Sequence, residues 1–447
     1  MSGIRHTQTP NLPALITPGL SDHLWRPRWA GICLVGFLLF GLIGLNPLAD
    51  NNSMAGSSDG NMGQQVVIIG LTGLLLLTTW RPGNMRANLA LSWPILGLLA
   101  YCMFTLVWSA VPMIGLRRLA LTTIGIWVLY RATTELGYGR TLLLMRIVAI
   151  ILLVANYLAV MFTAHGIHHY ELGSISTEAG SWRGIMIHKN LTGSATAISA
   201  ILFIFDRRNL SNAFCNVVLA AILVFLVFTQ SKTSISSMGA ALAAGYAIRF
   251  LKVSNRSQTA ISAIVILLAA LPLAAIYFGD LIETLNDPNA FTGRGQIWAL
   301  LFRYAGDHFW TGAGFGSFWQ VGAASPVLSL ASGWVAELAA AGHNGYLDLL
   351  VTIGFPGLML AVLVLLVMPA QRLMLADSAP RASRSLLFSI VVFCIFNNLT
   401  ESELISGVIV DQMFLTITLA LIPMIAPARK PAANTGFAHR ALRRLSR

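Results

Sequence analysis

FTGRGQIW at residues 291–298, GAGFGSFW at residues 312–319 and HNGYLD at residues 343–348 lie in or directly after one polar stretch, residues 279–343. Almost everything else in the sequence consists of apolar segments joined by short connectors. Polar groups are costly inside a bilayer, and functional residues concentrate in loops held by a rigid scaffold. We therefore expect the chemistry of this chain in and around that stretch.

The composition indicates a polytopic membrane protein. The chain has 447 residues, of which 56% are hydrophobic and 10% charged, and its mean hydropathy is +0.72. A soluble domain carries about 25% charged residues. Each of the four cysteines lies in an apolar run, so neither a disulfide framework nor a thiolate metal site is indicated.

Apolar segments of about 20 residues, the length that crosses a bilayer as a helix, recur along the whole chain. The first is too long for a signal-peptide core, so we interpret it as a retained span. The sequence thus predicts an all-α polytopic membrane protein of about twelve transmembrane helices, with one long periplasmic loop carrying amphipathic helices. The predicted spans are 29–45, 65–80, 88–108, 115–130, 142–163, 191–205, 213–229, 234–249, 259–278, 345–368, 385–399 and 407–425.

The predicted organisation is a single transmembrane domain, residues 29–426, between two cytoplasmic segments, residues 1–28 and the basic tail 427–447. Most of the 29 lysines and arginines fall on the side of both termini. The positive-inside rule then places both termini in the cytoplasm and the loops 164–190 and 279–343 outside. The net charge of +12 is spread over connectors rather than gathered on one face, so we expect no nucleic-acid partner.

Seven cations fall on the outer side, against this bias. Interfacial anchoring explains any one of them. As a set, they favour an anionic ligand held at the outer membrane surface. They are Arg117, Arg118, Arg183, Lys189, Lys232, Arg294 and Arg303.

Two motifs place donor groups at predicted outer helix starts. WRGIMIHKNLTG, residues 182–193, brings Arg183, His188 and Lys189 to the level of the lipid headgroups. QSKTSISS, residues 230–237, sets Ser231 and Lys232 where a helix dipole and backbone N–H groups favour phosphate oxygens. Ordinary helix capping would use the same serines.

The stretch 279–343 adds a turn and a helix. GAGFGSFW lacks the spacing of a dinucleotide-binding loop and follows no strand, so we interpret it as a tight turn. Apolar residues recur at helical spacing from Gly295 to Gly306, with Arg294 and Arg303 at the margins. This pattern predicts an amphipathic helix on the outer leaflet.

The histidines divide into two cases. His165, His168 and His169 have helical spacing, but no further ligand stands at a defined distance, Glu171 being only a possibility, so no metal site is predicted. His343 abuts Asn344 at the junction of loop and span, where a lipid-borne substrate would meet water. A junctional histidine of this kind is either structural or catalytic.

Together these motifs resemble the O-antigen ligase and polymerase superfamily. The resemblance covers about residues 180–360, and the first 150 residues match only as a pattern of spans. HKN at 188–190 with SKT at 231–233 is most similar to the exopolysaccharide polymerases of the succinoglycan type. The glycine, arginine and histidine signature of the long loop is shared with the ligases.

The resemblance implies a glycosyltransferase at the periplasmic face of the bacterial inner membrane that uses no metal, cofactor or nucleotide sugar. The implied donor is a glycan on undecaprenyl pyrophosphate, and the implied acceptor is a hydroxyl of a second lipid-linked repeat (polymerase) or of a lipid A core (ligase). Membrane lipids surround it, and a flippase and a chain-length regulator are expected partners.

The resemblance also suggests roles for residues. It makes His343 the base or acceptor-orienting group, and Arg294, Arg183 and Lys189 pyrophosphate ligands. A fixed guanidinium can stabilise a departing pyrophosphate, and an imidazole can take a proton from a hydroxyl. The complete candidate set is His343 and Arg294 as catalytic residues and Arg183, His188, Lys189, Ser231, Lys232, Arg117, Arg118 and Asn344 as substrate-binding residues, the arginines 117 and 118 resting on topology alone.

Two other function classes compete with a transferase. A transporter or flippase would carry ionisable groups near the bilayer midplane and show repeated halves. The sequence shows few acids in its spans and no internal repeat. A scaffold subunit would not need concentrated outer cations.

Overall fold

The computed structural model describes residues 22–45, 62–169, 179–250, 294–331, 333, 335–336 and 339–426. These residues are helices and connecting loops, and their one β-bridge joins Ile167 to Trp182. We number the α-helices in chain order. They are α1 Asp22–Ile43, α2 Met62–Thr79, α3 Met85–Leu89, α4 Trp93–Phe104, α5 Pro112–Phe162, α6 Lys189–Phe205, α7 Asn212–Phe228, α8 Lys232–Phe250, α9 Arg294–Asp307, α10 Pro326–Leu330, α11 Gly345–Val362, α12 Met368–Met374, α13 Arg381–Asn397 and α14 Val410–Ile425.

Helices form where the apolar segments predict them. The predicted spans 115–130 and 142–163 form the two helices of α5, which meet at a sharp kink where Gly137 has a non-helical backbone (φ 73°). The segment 88–108 breaks at Ala90 before α4 begins at Trp93. The predicted span 259–278 lies outside the described residues.

Within the described residues, four helical segments are long and apolar enough to cross a membrane, and four shorter apolar helices accompany them. The long ones are Trp25–Ile43, Met62–Thr79, Pro112–Phe162 and Gly345–Met374, the last continuing from α11 through a π-helical turn into α12. This is the architecture of a helical membrane protein. The number of spans stays a prediction.

The packing leaves apolar side chains on the outside as well as in the core. α8 packs along α13, α1 along α5, and α6 against α7, α8 and α13. Leu77, Phe162 and Val217 are 87%, 77% and 69% exposed. Such side chains would be costly in water, and lipid acyl chains would cover them in a bilayer.

The helix predicted on the outer leaflet, α9, lies against protein instead. Its apolar residues, among them Ile297, Leu301 and Tyr304, are buried. α9 packs against α11, and Trp298 Nε1 donates a hydrogen bond to the carbonyl of Gly342 at 2.9 Å. The helical spacing of apolar residues in the sequence shows that one face of α9 is apolar, but it does not determine whether lipid or another helix covers that face. Arg294, the first residue of α9, is thereby fixed in place.

Candidate functional site

The site is organised by residues 398–403, the turn between α13 and α14, which we call the Glu401 turn. It is tied to the start of α11: the backbone N–H of Gly345 donates to the carbonyls of Asn398 and Glu401 at 2.9 and 2.8 Å. Asn398 Oδ1 accepts from the N–H of Glu403 at 2.9 Å. The turn therefore holds its carboxylates in a set position beside the HNGYLD motif.

Arg294 binds the Glu401 turn through both ends of its guanidinium group. Nη2 lies 2.7 Å from Oε1 of Glu401, and Nη1 donates to the carbonyl of Thr400 at 2.6 Å. The Arg294 side chain is 20% exposed and that of Glu401 only 9%. A charge-assisted pair so shielded from water is stronger and better oriented than a surface ion pair.

His343 lies on the other oxygen of the same carboxylate. Its Nδ1 is 3.5 Å from Oε2 of Glu401, and the His343 side chain remains 38% exposed. The backbone of His343 is left-handed, with φ 47°. An L-residue is held in that region only when its surroundings impose it, and such residues cluster at functional sites.

Asn344 caps α11 rather than facing open space. Its Oδ1 accepts from the N–H groups of Tyr346 and Leu347, both at 3.1 Å, and its Nδ2 donates to the carbonyl of Leu399 at 3.0 Å. Asn344 is buried. Its contacts fix the residue next to His343 against the Glu401 turn.

The charge of Glu401 is maintained by its surroundings. Burial raises the pKa of this carboxyl, but the hydrogen bond from His343 and the positive charge of Arg294 outweigh burial, and its pKa lies below the ordinary value. Asn190 Nδ2 adds a hydrogen bond to Oε1 at 2.8 Å. Glu401 is therefore an anion at neutral pH, able to stabilise an imidazolium on His343.

Two further motifs reach the same turn. Asn190 comes from the HKN motif, and its neighbour Lys189 begins α6. Thr233 Oγ1, from the SKT motif, lies 2.8 Å from Thr400 Oγ1, and Lys232 is exposed at the start of α8. The structure thus brings Arg294, His343, Asn344, Lys189 and Lys232 to one region, although they come from separate parts of the chain.

Ser231 and His188 have packing and capping contacts. Ser231 is buried, and its Oγ lies 2.9 Å from Ser234 Oγ. His188 Nδ1 accepts from the N–H of Asn190 at 3.2 Å and so caps α6. These two residues shape the helix starts beside the site.

Arg183 is buried in the loop before α6. Its Nε donates to the carbonyl of His165, and Nη2 lies 3.2 Å from His165 Nδ1. His168 Nε2 lies 3.4 Å from the N–H of Lys189, and His169 Nε2 lies 2.7 Å from the carbonyl of Ala164. The three histidines thus have different partners, and no group of described residues combines three or more metal-ligating side chains.

Arg118 lies on the GAGFGSFW turn. Nη1 donates to the carbonyls of Gly316 and Trp319 at 2.7 and 2.8 Å, and Nη2 donates to that of Gln320 at 3.0 Å. Arg117 precedes it in α5 and is partly buried. Three of the five N–H donors of Arg118 are therefore already used by backbone carbonyls.

Glu401 stands in none of the sequence motifs described above. Tertiary contact brings it to Arg294 from 107 positions away. A signal did exist: the chain has only 17 acidic residues, and Glu401 and Glu403 directly follow a predicted span on the outer side. Acidic residues are rare in this chain, so those at the outer end of a predicted span indicate a functional site as well as the outer cations do.

Glu403 of the turn is paired with a second acid, Asp411 of α14. The N–H of Asp411 donates to Glu403 Oε2 at 2.7 Å, and Asp411 Oδ2 accepts from Asn397 and Asn398 at 2.9 and 3.2 Å. Both acids are buried. Burial and the charge of Asp411 raise the pKa of Glu403 well above its ordinary value.

A comparison with known protein families finds a match to part of the chain. Residues 217–362 match the Wzy_C family model, described as O-antigen ligase. The match includes Arg294, His343 and Asn344, whereas Glu401 and the loop before α6 lie outside it. It supports a place in the O-antigen ligase and polymerase superfamily, whose members process glycans in membranes, and it does not separate polymerase from ligase. No curated protein matches the chain.

Proposed function

We propose that this chain is a membrane glycosyltransferase that polymerises undecaprenyl-pyrophosphate-linked oligosaccharide repeats into exopolysaccharide at the periplasmic face of the inner membrane. The observation that carries the proposal is the single carboxylate of Glu401, which contacts Arg294 and His343 at once. An anion-stabilising group and a proton acceptor, held on one rigid turn, are what transfer from a pyrophosphate carrier requires. The family match of residues 217–362 supports the same class of reaction.

In the proposed step, the oxygen of an acceptor hydroxyl attacks the anomeric carbon of the donor glycan. The bond from that carbon to the pyrophosphate oxygen breaks, and its electron pair leaves with the pyrophosphate. His343 takes the hydroxyl proton on Nε2, because Nδ1 faces Glu401. Glu401 stabilises the resulting imidazolium, as a carboxylate does behind a catalytic histidine.

Arg294 meets the charge that develops on the leaving group. Two of its nitrogens are oriented by Glu401 and Thr400, and five N–H groups in a planar fork leave others to donate to phosphate oxygens. Lys189 and Lys232, at the starts of α6 and α8, supply further positive charge beside the same turn. Because these donors are fixed before the reaction begins, little reorganisation is needed as charge grows.

The second candidate is an O-antigen ligase, which would transfer the lipid-linked glycan to a lipid A core. The family model that matches residues 217–362 is described as O-antigen ligase, but it does not separate the two candidates. The chemistry at Glu401 is identical in both cases, since only the molecule that brings the hydroxyl differs. A transporter or flippase is the weaker explanation, because Arg294 and His343 meet Glu401 at a turn between two helices rather than within a span.

The test uses the purified full-length chain in lipid nanodiscs with a lipid-linked repeat as the only substrate. We expect products of two or more repeats together with released undecaprenyl pyrophosphate. A product that forms only after lipid A core is added would establish the ligase. No transfer to either acceptor would contradict the proposal.

The matched variants are His343→Gln and His308→Gln. His343→Gln should lower turnover by the ~10²–10⁴-fold typical of a positioned general base, because an amide cannot take the proton. His308, exposed at the end of α9 and stacked on Tyr304, is the control and should retain turnover. Near-normal turnover in His343→Gln would mean that the proton leaves by another route.

A further inference from the structure

The GAGFGSFW turn has no part in the proposed reaction, yet it is bound tightly on two sides. Arg118 of α5 donates to two of its carbonyls, Gly316 and Trp319, and to the carbonyl of Gln320 directly after it. The turn is also hydrogen-bonded to α11, because Trp319 Nε1 donates to Asp348 Oδ1 at 2.8 Å. Trp319 itself is 9% exposed and packs edge-on against Phe318.

Asp348 connects this turn to the residue before His343. Its second oxygen, Oδ2, accepts from the N–H of Gly342 at 2.9 Å. The hydroxyl of Ser402 reaches the same carboxylate, and Ser402 Oγ also accepts from the N–H of Asn344 at 3.0 Å. One carboxylate therefore joins three segments: the GAGFGSFW turn, the end of the long loop, and the Glu401 turn.

Gly342 is fixed from both sides. Its N–H is held by Asp348 and its carbonyl by the indole of Trp298 on α9. A Cβ at Gly342 would lie 2.6 Å from Asp348 Oδ1, so the carboxylate closes directly on the backbone. The next residue, His343, adopts its left-handed conformation under these constraints.

We propose that Asp348 and Arg118 are positioning residues that act on His343 through Trp319 and Gly342. Neither touches substrate: Asp348 orients the backbone of His343, and Arg118 orients the turn that holds Asp348. This inference rests on the proposed function of His343 and moves Arg118 from the substrate-binding set to a supporting role. A displacement of about 1 Å at a reacting group can lower turnover about 100-fold. Residues that hold His343 in position would therefore affect the rate of the reaction.

The first experiment is a double-substitution cycle with donor and acceptor saturating. Asp348→Asn keeps the shape of the side chain but replaces one carboxylate oxygen, an acceptor, with an NH₂ group, a donor. That NH₂ group would face the N–H of Trp319 or of Gly342, which is also a donor. We expect kcat to fall ~10–100-fold with the donor KM within about twofold of the parent value. In a His343→Gln background the same substitution should have no further effect, because the two changes remove one function. Independent, multiplicative effects would overturn the inference.

Arg118→Lys separates positioning from substrate binding. A lysine keeps the charge but lacks the planar fork that serves three carbonyls. As a positioning residue, Arg118 should show a loss in kcat that does not add to that of Asp348→Asn. A raised donor KM with unchanged kcat would instead make Arg118 a pyrophosphate ligand. Asp377→Asn is the control, since Asp377 pairs with Arg384 in the α12–α13 connection, at the opposite end of α11 from Gly345.

A readout that needs no activity keeps the inference separate from the proposed function. Diethyl pyrocarbonate modifies accessible imidazoles, and peptide mass spectrometry gives the rate at each histidine. In Asp348→Asn we expect His343 to be modified several-fold faster while His308 is unchanged. Plain capping of α11 by Asp348 would lower thermal stability and leave the His343 rate as in the parent. That result would overturn the inference that Asp348 positions His343, whatever role His343 has in catalysis.

Discussion

At the scale of single residues, Arg294 is the most demanding position. Its fork spans the Thr400 carbonyl and the Glu401 carboxylate, and an ammonium group cannot make both contacts while also facing a phosphate. We expect Arg294→Lys to cost ~2–5 kcal/mol of donor or transition-state binding, the range for a broken buried charge-assisted pair. Polymer length and turnover per folded molecule measure it. Full activity in Arg294→Lys would make the residue an interfacial anchor.

The two glutamates of the Glu401 turn should give opposite dependences of stability on pH. The raised pKa of Glu403 means that its contribution to stability is complete below its ordinary value of 4.5 and is lost as pH rises through the folded-state pKa. The lowered pKa of Glu401 means the reverse: its contribution is complete above 4.5 and is lost as pH falls through the folded-state pKa.

Thermal unfolding of the parent chain, Glu403→Gln and Glu401→Gln between pH 3 and 9 tests this contrast. Relative to the parent, Glu403→Gln should become more stable as pH rises above about 4.5. Glu401→Gln should be least stable, relative to the parent, at neutral pH and recover toward it in acid. Parallel curves for the three proteins would contradict the assigned directions.

At the scale of elements, α11 depends on a bend at Gly354. The backbone there has φ 70°, and a Cβ would lie 2.3 Å from the carbonyl oxygen of Trp310. We expect Gly354→Ala to lower the free energy of unfolding by at least ~1–3 kcal/mol, the cost of a left-handed L-residue, with the clash in addition. A substitution without effect on the melting temperature would show that α11 can straighten.

Gly306→Ala is the matched control for Gly354→Ala. Gly306 is exposed in α9, and nothing lies within 4 Å of a Cβ built there. Alanine is favoured over glycine in a helix by roughly 0.5–1 kcal/mol, so this variant should be equally or slightly more stable. Opposite changes in stability at Gly354 and Gly306 would distinguish the special backbone conformation of Gly354 from the general effect of placing alanine in a helix.

At the scale of the whole molecule, the orientation in the membrane decides whether the site can meet a lipid-linked glycan outside the cell. Reporter fusions at Ala324 should report the periplasm, and fusions at Arg208 and Ala382 the cytoplasm, because cations concentrate on the latter side. A cytoplasmic signal at Ala324 would contradict the proposed function, since the site and the substrate would then lie on opposite faces.

Positive charge from side chains should make donor binding independent of divalent ions. Activity of the purified chain is expected to survive EDTA, because Arg294 binds the Glu401 turn and Lys189 and Lys232 begin the two helices whose next residues contact it. Turnover is measured before and after chelation, with magnesium and then manganese added back. Activity lost with EDTA and restored by one ion would return attention to His165, His168 and His169.

The sequence by itself determined the class of protein and the places of its helices, because these depend on local quantities. Apolar length sets where a helix can span a bilayer. It also identified His343 and Arg294 as candidates, since both stand in polar motifs within an apolar chain.

Only the tertiary structure decided what those residues touch. Glu401 meets Arg294 across 107 positions and Asn190 across 211, and no periodicity carries information over such distances. The same reason explains Arg118, an outer cation by sequence whose donors are taken by backbone carbonyls 198 to 202 positions away. Charge and hydropathy are properties of a segment, whereas the partner of a charge depends on how the helices pack.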